Sequence, residues 1–156
     1  RHALKGSLFT MKLFRLLPLF LIFLLAGCSA TVVMEQADDA NNPACAEVMV
    51  RIPEQTAEQV KRVTSSQSTA AWGDPVTVSL TCGLKPVEVS ELTCITAGDV
   101  DWLVDESSKP IYRFISFGRN PATVVTVDST KVSGATVLED LGLAVQFTKK
   151  TKQCLG

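Results

Sequence analysis

The chain has 156 residues, of which 46% are hydrophobic and 6% aromatic, with 15 Lys and Arg against 16 Asp and Glu. This composition is typical of one globular domain, and the length excludes two substantial ones. The net charge of −1 excludes the basic excess that marks nucleic-acid-binding proteins.

The N-terminal region predicts a secretory signal. Lys12 and Arg15 precede the apolar run Leu16–Leu25, which is too short to span a bilayer as a stable helix. The run ends in Leu-Ala-Gly-Cys at Cys28, which resembles the lipobox of bacterial lipoproteins. That resemblance implies that residues 11–27 are a cleaved signal peptide and that Cys28 carries lipid. It also implies a lipid-anchored protein on the outer, extracytoplasmic face of the cell membrane.

Removal of the signal changes the charge and the available chemistry. Residues 1–10 precede Met11, which begins a complete signal, so we expect them to be an upstream artefact. The chain from Cys28 onward carries a net charge of −5, so charge would not draw it to nucleic acid. It also lacks the single histidine, His2. Without histidine, a Ser-His-Asp triad or a histidine zinc site cannot form, and we expect no enzyme activity and no cofactor or metal.

The next segments predict a tether and a short helix. Residues 28–43 turn polar and end in Asn-Asn-Pro, which is typical of a flexible tether, so a single domain is expected over 44–156. Ala44–Ile52 has apolar residues at helical spacing and is stopped by Pro53. Residues 55–69 are polar and are expected to form a loop.

The remainder predicts strands and a longer helix. Alternation and β-branched residues indicate strands at Val76–Cys82, Val100–Val104, Ile111–Gly118 and Ala122–Asp128. Ala135–Lys149 has the apolar spacing of a helix that packs one face on a core. The predicted fold is therefore α+β. It has a mostly antiparallel sheet of about four strands, with a short N-terminal helix and a longer C-terminal helix on one face.

Four cysteines remain after Cys28, an even number on the oxidising side of a membrane, and predict two disulfides. Spacing alone does not choose among the three pairings. Alternation points Cys82 to the core face, and Cys45 lies on the apolar side of the helix expected to cover it, which favours Cys45–Cys82 with Cys94–Cys154. The alternative is Cys82–Cys94 with Cys45–Cys154.

The order of several short motifs resembles the DUF3515 family, actinobacterial secreted or membrane-anchored proteins of unknown function. The motifs are Cys45 to Ile52-Pro53, Ala71-Trp72-Gly73-Asp74-Pro75, Thr81-Cys82-Gly83, Val100-Asp101-Trp102 and Phe117-Gly118-Arg119-Asn120-Pro121. The likeness covers roughly residues 44–149. It implies the compartment and the architecture and supports the Cys45–Cys82 pairing, but it supplies no chemistry. The arginine usual in the family before Cys-Gly is Thr81 here.

Two groups of residues are candidate sites. Trp72, Trp102 and Arg119 would form a ligand or interaction site if they converged, although core packing and the pinning of a turn are the expected roles. Asp99, Asp101, Asp105 and Glu106 form the densest acidic stretch, which lacks the ligand order of a calcium loop.

The sequence leads to three functional hypotheses. The first is a non-catalytic lipoprotein that acts as an interaction or accessory module of the cell envelope, with an envelope protein as partner. The alternative is an envelope lipoprotein that binds a small ligand around Trp72, Trp102 and Arg119. The third is a carboxylate-based hydrolase, which requires two of the aspartates to face one cleft within about 10 Å.

Overall fold

The structure, a computed structural model, describes residues 30–155. Within these residues lie two helices, α1 (Pro43–Met49) and α2 (Gly134–Val145). Ten strands are present: β1 (Gln55–Thr56), β2 (Gln59–Arg62), β3 (Thr69–Trp72), β4 (Val78–Leu84), β5 (Thr93–Ala97), β6 (Val100–Ser108), β7 (Ile111–Phe117), β8 (Arg119–Asn120), β9 (Ala122–Asp128) and β10 (Lys149–Lys150).

Eight strands form one antiparallel sheet in the order β1-β2-β3-β4-β9-β7-β6-β5. The predicted α+β class with a mostly antiparallel sheet is confirmed, but the prediction of about four strands is wrong. The additional strands lie at both sides of the predicted ones. β1 and β2 lie in the stretch predicted as a loop, β3 begins at the last residue of that stretch, and β5 lies at the opposite edge.

The missed strands have weak sequence signals for physical reasons. The turn between β1 and β2 has positive φ at Ala57 (45°) and Glu58 (64°), where Gly or Asn would normally mark a hairpin. β3 is buried at all four positions, so it shows no alternation of apolar and polar residues. β5 reads Thr-Cys-Ile-Thr-Ala, which is short and half polar.

Both helices pack on the same face of the sheet. Asn42 begins α1 by accepting a hydrogen bond from the Ala44 N–H at 2.9 Å, and Ser133 begins α2 by accepting from the Thr136 N–H at 3.4 Å. Their buried side chains join one core with the inward side chains of the central strands. The largest fully buried residues are Trp72, Trp102, Leu80, Leu138 and Leu141.

The C-terminal helix ends earlier than predicted. α2 stops at Val145, whereas the sequence predicted a helix to Lys149. The Thr148 hydroxyl donates to the Val145 carbonyl at 2.8 Å, and Lys149–Lys150 then pairs with Arg119–Asn120 as a two-stranded ladder. Pairing with β8 therefore replaces the last helical turn.

The N-terminal segment differs from the predicted flexible tether. Over residues 30–42 it is held against the domain by backbone hydrogen bonds. Val32 donates to the Val63 carbonyl at 2.9 Å, and Asp39 donates to the Gly83 carbonyl at 3.1 Å. These bonds join it to the β2–β3 loop and to β4. Within residues 30–155, none of the helices is long and apolar enough to cross a membrane.

Candidate functional site

Trp72 and Trp102 are core residues. Each has 0% of its surface exposed. The indole N–H of Trp72 donates to the Pro53 carbonyl at 3.1 Å, and that of Trp102 donates to the Ala97 carbonyl at 3.0 Å. Their rings therefore fill the core with their only polar atoms satisfied, and neither is available to a ligand.

Arg119 is also buried, and its side chain binds backbone carbonyls of the protein itself. Its guanidinium donates to the carbonyls of Gln146 (2.7 Å), Thr148 (2.9 Å) and Asp99 (3.0 Å). It thus ties the end of α2 to the β5–β6 turn. Burial lowers the pKa of Arg119 from its ordinary value, and the charge of Asp101 opposes this effect.

Trp72, Trp102 and Arg119 are all buried, which agrees with the expected roles in core packing and in pinning a turn, and the structure does not present them together as a ligand site. The structure also separates Asp101 and Asp105, two aspartates of the hydrolase hypothesis, by more than the required distance. Asp101 and Asp105 lie four positions apart on β6, about 13 Å along a strand, and Asp99 lies in the preceding turn. Asp101 accepts hydrogen bonds from the Thr96 hydroxyl at 2.6 Å and the Cys154 N–H at 2.9 Å.

The four cysteines form the favoured pairs, Cys45–Cys82 and Cys94–Cys154. The first bridge is fully buried between α1 and β4. The second is partly exposed and joins β5 to the C-terminal tail, residues 151–155. Cys28 lies outside the described residues.

The side of the sheet opposite the helices, which we call the helix-free face, carries the candidate site. Cross-strand pairing places a row of side chains across five strands: Thr81 faces Val124, which neighbours Ile115, then Leu103, then Cys94. Most of this row is apolar. When strands are apolar on both faces, the second face is usually also covered, either by other segments of the chain or by a binding partner.

Three non-helical segments border the helix-free face: the N-terminal segment, the β4–β5 loop and the C-terminal tail. The tail is fixed by the Cys94–Cys154 disulfide, by the Thr151 N–H donating to the Gly118 carbonyl at 2.7 Å, and by an ion pair between Lys152 and Glu88. Glycine is required at position 118 for the tail to lie this close, since a Cβ there would be 2.2 Å from the Lys152 carbonyl oxygen.

A groove of 670 Å³ lies between the tail and the β4–β5 loop, and we call it the tail groove. Its floor is formed by Leu103 and Phe117, and the Cys94–Cys154 disulfide forms part of its wall. Val89, Leu92 and Leu155 line its rim and are 88%, 38% and 95% exposed. An exposed apolar rim around a groove is characteristic of a binding surface.

A second groove of 620 Å³, the N-terminal groove, lies where residues 35–38 cross β4 and β9. It is more polar and is lined by Thr81, Thr126 and Arg113. The guanidinium Nη1 of Arg113 lies 3.5 Å from the carboxylate Oδ2 of Asp105. Hydrogen bonds from Ser107 lower the pKa of Asp105, and the Arg113 charge lowers it further.

Sequence reasoning missed both grooves because segments distant in the chain form their walls. One signal was available in the sequence: Leu103, Ile115 and Val124, on neighbouring strands, are apolar although they lie on the side of the sheet away from the core. In residues 30–155, no group of three or more His, Cys, Asp or Glu side chains is arranged to hold a metal ion.

The model of the DUF3515 family, described as a protein of unknown function, matches residues 26–154. No curated protein and no solved structure matches the chain.

Proposed function

Since the chain belongs to the DUF3515 family of unknown function, we propose from its own residues that it is a lipid-anchored interaction module of the cell envelope. The anchor would be Cys28, the module would lie on the extracytoplasmic side of the membrane, and the helix-free face would bind an envelope protein. No catalytic step is part of the proposal.

The compartment is supported by two independent features of the chain. The apolar run that ends in Leu-Ala-Gly-Cys has the form of a lipoprotein signal. The domain also contains two disulfides, which persist in oxidising compartments and are rare in reducing ones. Each closes a long loop and would contribute about 4 kcal/mol in the chain-entropy model.

The observation that carries the binding role is the apolar rim of the tail groove. Val89, Leu92 and Leu155 lie beside a groove whose floor is also apolar. The tail that forms its wall is held by a disulfide, a hydrogen bond and an ion pair, so the groove is preorganised. Preorganised apolar grooves reduce the entropic cost of binding.

The anchor is tested by substituting Cys28→Ser in the full chain and labelling cells with a clickable palmitate analogue. We expect the unaltered chain to take up label and to remain in the membrane fraction. The variant should lose both properties. Label retained by the variant, or an unlabelled parent chain, would contradict the anchor.

The interaction surface is tested by placing a photo-crosslinking amino acid at Val89 in the full-length chain in its native cells. The matched control places it at Leu143, which is 59% exposed on the outer side of α2. We expect one recurrent adduct from position 89 and none from position 143. Equal adducts from both positions, or none from position 89, would refute the proposed surface.

A second function, small-ligand binding, is favoured by one observation. The tail groove has a volume of 670 Å³, which lies within the range of small-molecule sites. Native mass spectrometry of the chain purified from its own cells would reveal a retained mass. Enlarging a side chain on the groove floor with Leu103→Phe should remove that mass, and a mass unaffected by this change would not belong to the groove.

A further inference from the structure

β5 is the free edge of the main sheet, and it lacks the features that normally protect such edges. β6 is its only neighbour in the sheet of the described residues, and the two strands pair without a bulge from Thr93 to Ala97. The strand contains no charged residue and no proline. Edge strands usually carry charges, proline or bulges that prevent pairing with another chain. The opposite edge, β1, has only two residues.

The hairpin geometry defines which backbone groups this edge offers. Gly98 and Asp99 form the two-residue turn with φ of 57° and 60°, and Ala97 pairs with Val100. In such a turn the two flanking residues hydrogen-bond to each other. Along the strand, the backbone N–H and C=O groups of successive residues then point alternately toward the paired strand and away from it. The N–H and C=O groups of Cys94 and Thr96 therefore point away from β6, toward the free edge.

The free edge adjoins the tail groove. Cys94 and Leu92 both line this groove, and Ile95, on the edge strand itself, is 37% exposed. Side chains of a paired strand alternate between the two faces of the sheet. Every second side chain of an added strand would therefore lie on the helix-free face, beside the groove.

The charges at this edge indicate the chemistry of the partner. Exposed Glu91 precedes β5, and exposed Asp99 follows it. A second copy paired in antiparallel register about Ile95 would place Glu91 of one copy opposite Asp99 of the other, and like charges directly opposite destabilise a pair. A strand with basic residues at both ends would instead meet opposite charges.

We propose that β5 accepts an extended peptide segment of a partner protein as an added strand, with apolar side chains next to the tail groove and basic residues at both ends. This inference rests on the proposed function, because it specifies how the helix-free face would bind its partner. The added strand would hydrogen-bond to Cys94 and Thr96 and extend the sheet beyond its eighth strand.

The probe is a fluorescein-labelled nonapeptide of alternating Val and Thr with a pair of Lys at each end, and binding to the purified lipid-free domain is followed by fluorescence anisotropy. Thr96→Pro removes the outward N–H but no bond to β6, a position where an edge strand tolerates proline. Thr96→Val is the matched control, because it loses the same side-chain hydrogen bond to Asp101 and keeps the N–H. We expect Thr96→Pro to weaken binding at least about tenfold relative to Thr96→Val.

Charge is tested with the same nonapeptide carrying Glu in place of Lys, which should bind at least about tenfold more weakly. If Thr96→Pro does not fold, amide hydrogen exchange of the unaltered domain replaces it: the peptide should protect the Thr96 N–H and leave the Leu143 N–H unchanged. Absent binding of the Lys peptide, equal binding of both peptides, or an unprotected Thr96 N–H would overturn the inference.

The two proposals fail in different ways. In cells, a crosslink from position 89 that persists in the Thr96→Pro variant would leave the helix-free face as the interaction surface and overturn strand addition. Loss of the crosslink in Thr96→Pro but not in Thr96→Val supports strand addition. Absence of any crosslink in the parent chain refutes the proposed surface itself.

Discussion

At the scale of single residues, Arg119 shows how a functional candidate becomes a structural residue. The guanidinium donates to three backbone carbonyls, and the residue is only 6% exposed, so it is held inside the fold. Two of the carbonyls belong to Gln146 and Thr148, between α2 and β10, and the third belongs to Asp99 in the β5–β6 turn. One side chain on β8 therefore holds together two segments that are distant from each other in sequence.

Substitution of Arg119→Met should destabilise the domain by about 2–4 kcal/mol, because three carbonyl acceptors lose a charged donor in a buried position. The measurement is urea unfolding with the disulfides intact. Arg113→Met is the control: Arg113 is 47% exposed and should change the free energy of unfolding by less than about 0.5 kcal/mol. Equal effects of the two variants would contradict the role of Arg119.

Asp128, at the end of β9, makes a pH-dependent contribution to the stability of the fold. The hydroxyl and N–H of Thr130 donate to its carboxylate at 2.6 and 3.0 Å, and these bonds lower its pKa from the ordinary value of 3.8. A lowered pKa in the folded state stabilises the fold above the ordinary value, and the effect is lost as the pH falls through the lower folded pKa.

Replacement of Thr130→Ala should therefore raise the pKa of Asp128 toward its ordinary value, as measured by NMR titration of the side-chain carboxyl carbon. Asp105 is an internal control, because its pKa is lowered by a different residue, Ser107. An unchanged pKa of Asp128 in the variant would show that the hydroxyl hydrogen bond is not the cause.

At the scale of elements, close packing between α2 and the β5–β6 turn explains a glycine inside a helix. A Cβ on Gly142 would lie 2.4 Å from the Gly98 carbonyl oxygen. Gly costs about 1 kcal/mol relative to Ala in a helix interior, so the sequence alone marks it only as unfavourable. The close approach of the Gly98 backbone to α2 explains why position 142 is glycine.

Gly142→Ala should consequently destabilise the domain by about 1–3 kcal/mol despite the better helix propensity of alanine. Leu143→Ala, its exposed neighbour, is the control and should change stability by less than about 0.5 kcal/mol. Thermal unfolding followed by circular dichroism measures both. A stabilised Gly142→Ala variant would mean that the turn moves away at little cost.

The two disulfides connect different kinds of element and should respond differently to reductant. Cys45–Cys82 is fully buried between α1 and β4, whereas Cys94 and Cys154 are both partly exposed beside the tail groove. Reduction requires access of the reductant to sulfur. The tail disulfide should therefore be reduced first.

Mild reduction by a water-soluble phosphine, followed by alkylation and peptide mass spectrometry, should yield a form alkylated at Cys94 and Cys154 alone. That form should remain folded, since the core disulfide is intact. Simultaneous alkylation of all four cysteines would show that access does not distinguish the bridges.

Elements whose sequence pattern is local could be predicted, whereas elements that depend on long-range contacts could not. The central strands β4, β6, β7 and β9 and both helices were found because alternation and helical spacing are local in sequence. β1 and β2 were not found, because their turn has positive φ at Ala57 and Glu58 without Gly or Asn, and a tertiary hydrogen bond from the Ala57 N–H to Asp140 helps to hold it. The end of α2 was misplaced because pairing with β8 is a long-range contact.

At the scale of the whole molecule, the sequence correctly indicated a disulfide-linked α+β domain of the DUF3515 family. It did not locate a site. Trp72, Trp102 and Arg119 were candidates because of their residue types, whereas the grooves are formed by the arrangement of the N-terminal segment, the β4–β5 loop and the tail. Such a surface has no linear motif.

The molecule has two unequal sides. One side of the sheet carries both helices and the core. The other, the helix-free face, is bordered by three non-helical segments, which bury Leu103 and Val124 in part and form the tail groove with its apolar rim. A domain with helices on one sheet face and an exposed apolar rim on the other is suited to binding a partner through the second face. We therefore predict that a partner in the cell covers the helix-free face and not the helix side.

The most direct measurement is hydroxyl-radical footprinting of the chain in intact cells, compared with the purified chain. Leu92 and Leu155 report on the helix-free face and Leu143 on the helix side, so that one residue type is compared throughout. We expect Leu92 and Leu155 to be oxidised several-fold less in cells than in the purified chain, while Leu143 is unchanged. Equal oxidation of all three in both samples, or protection of Leu143 alone, would contradict it.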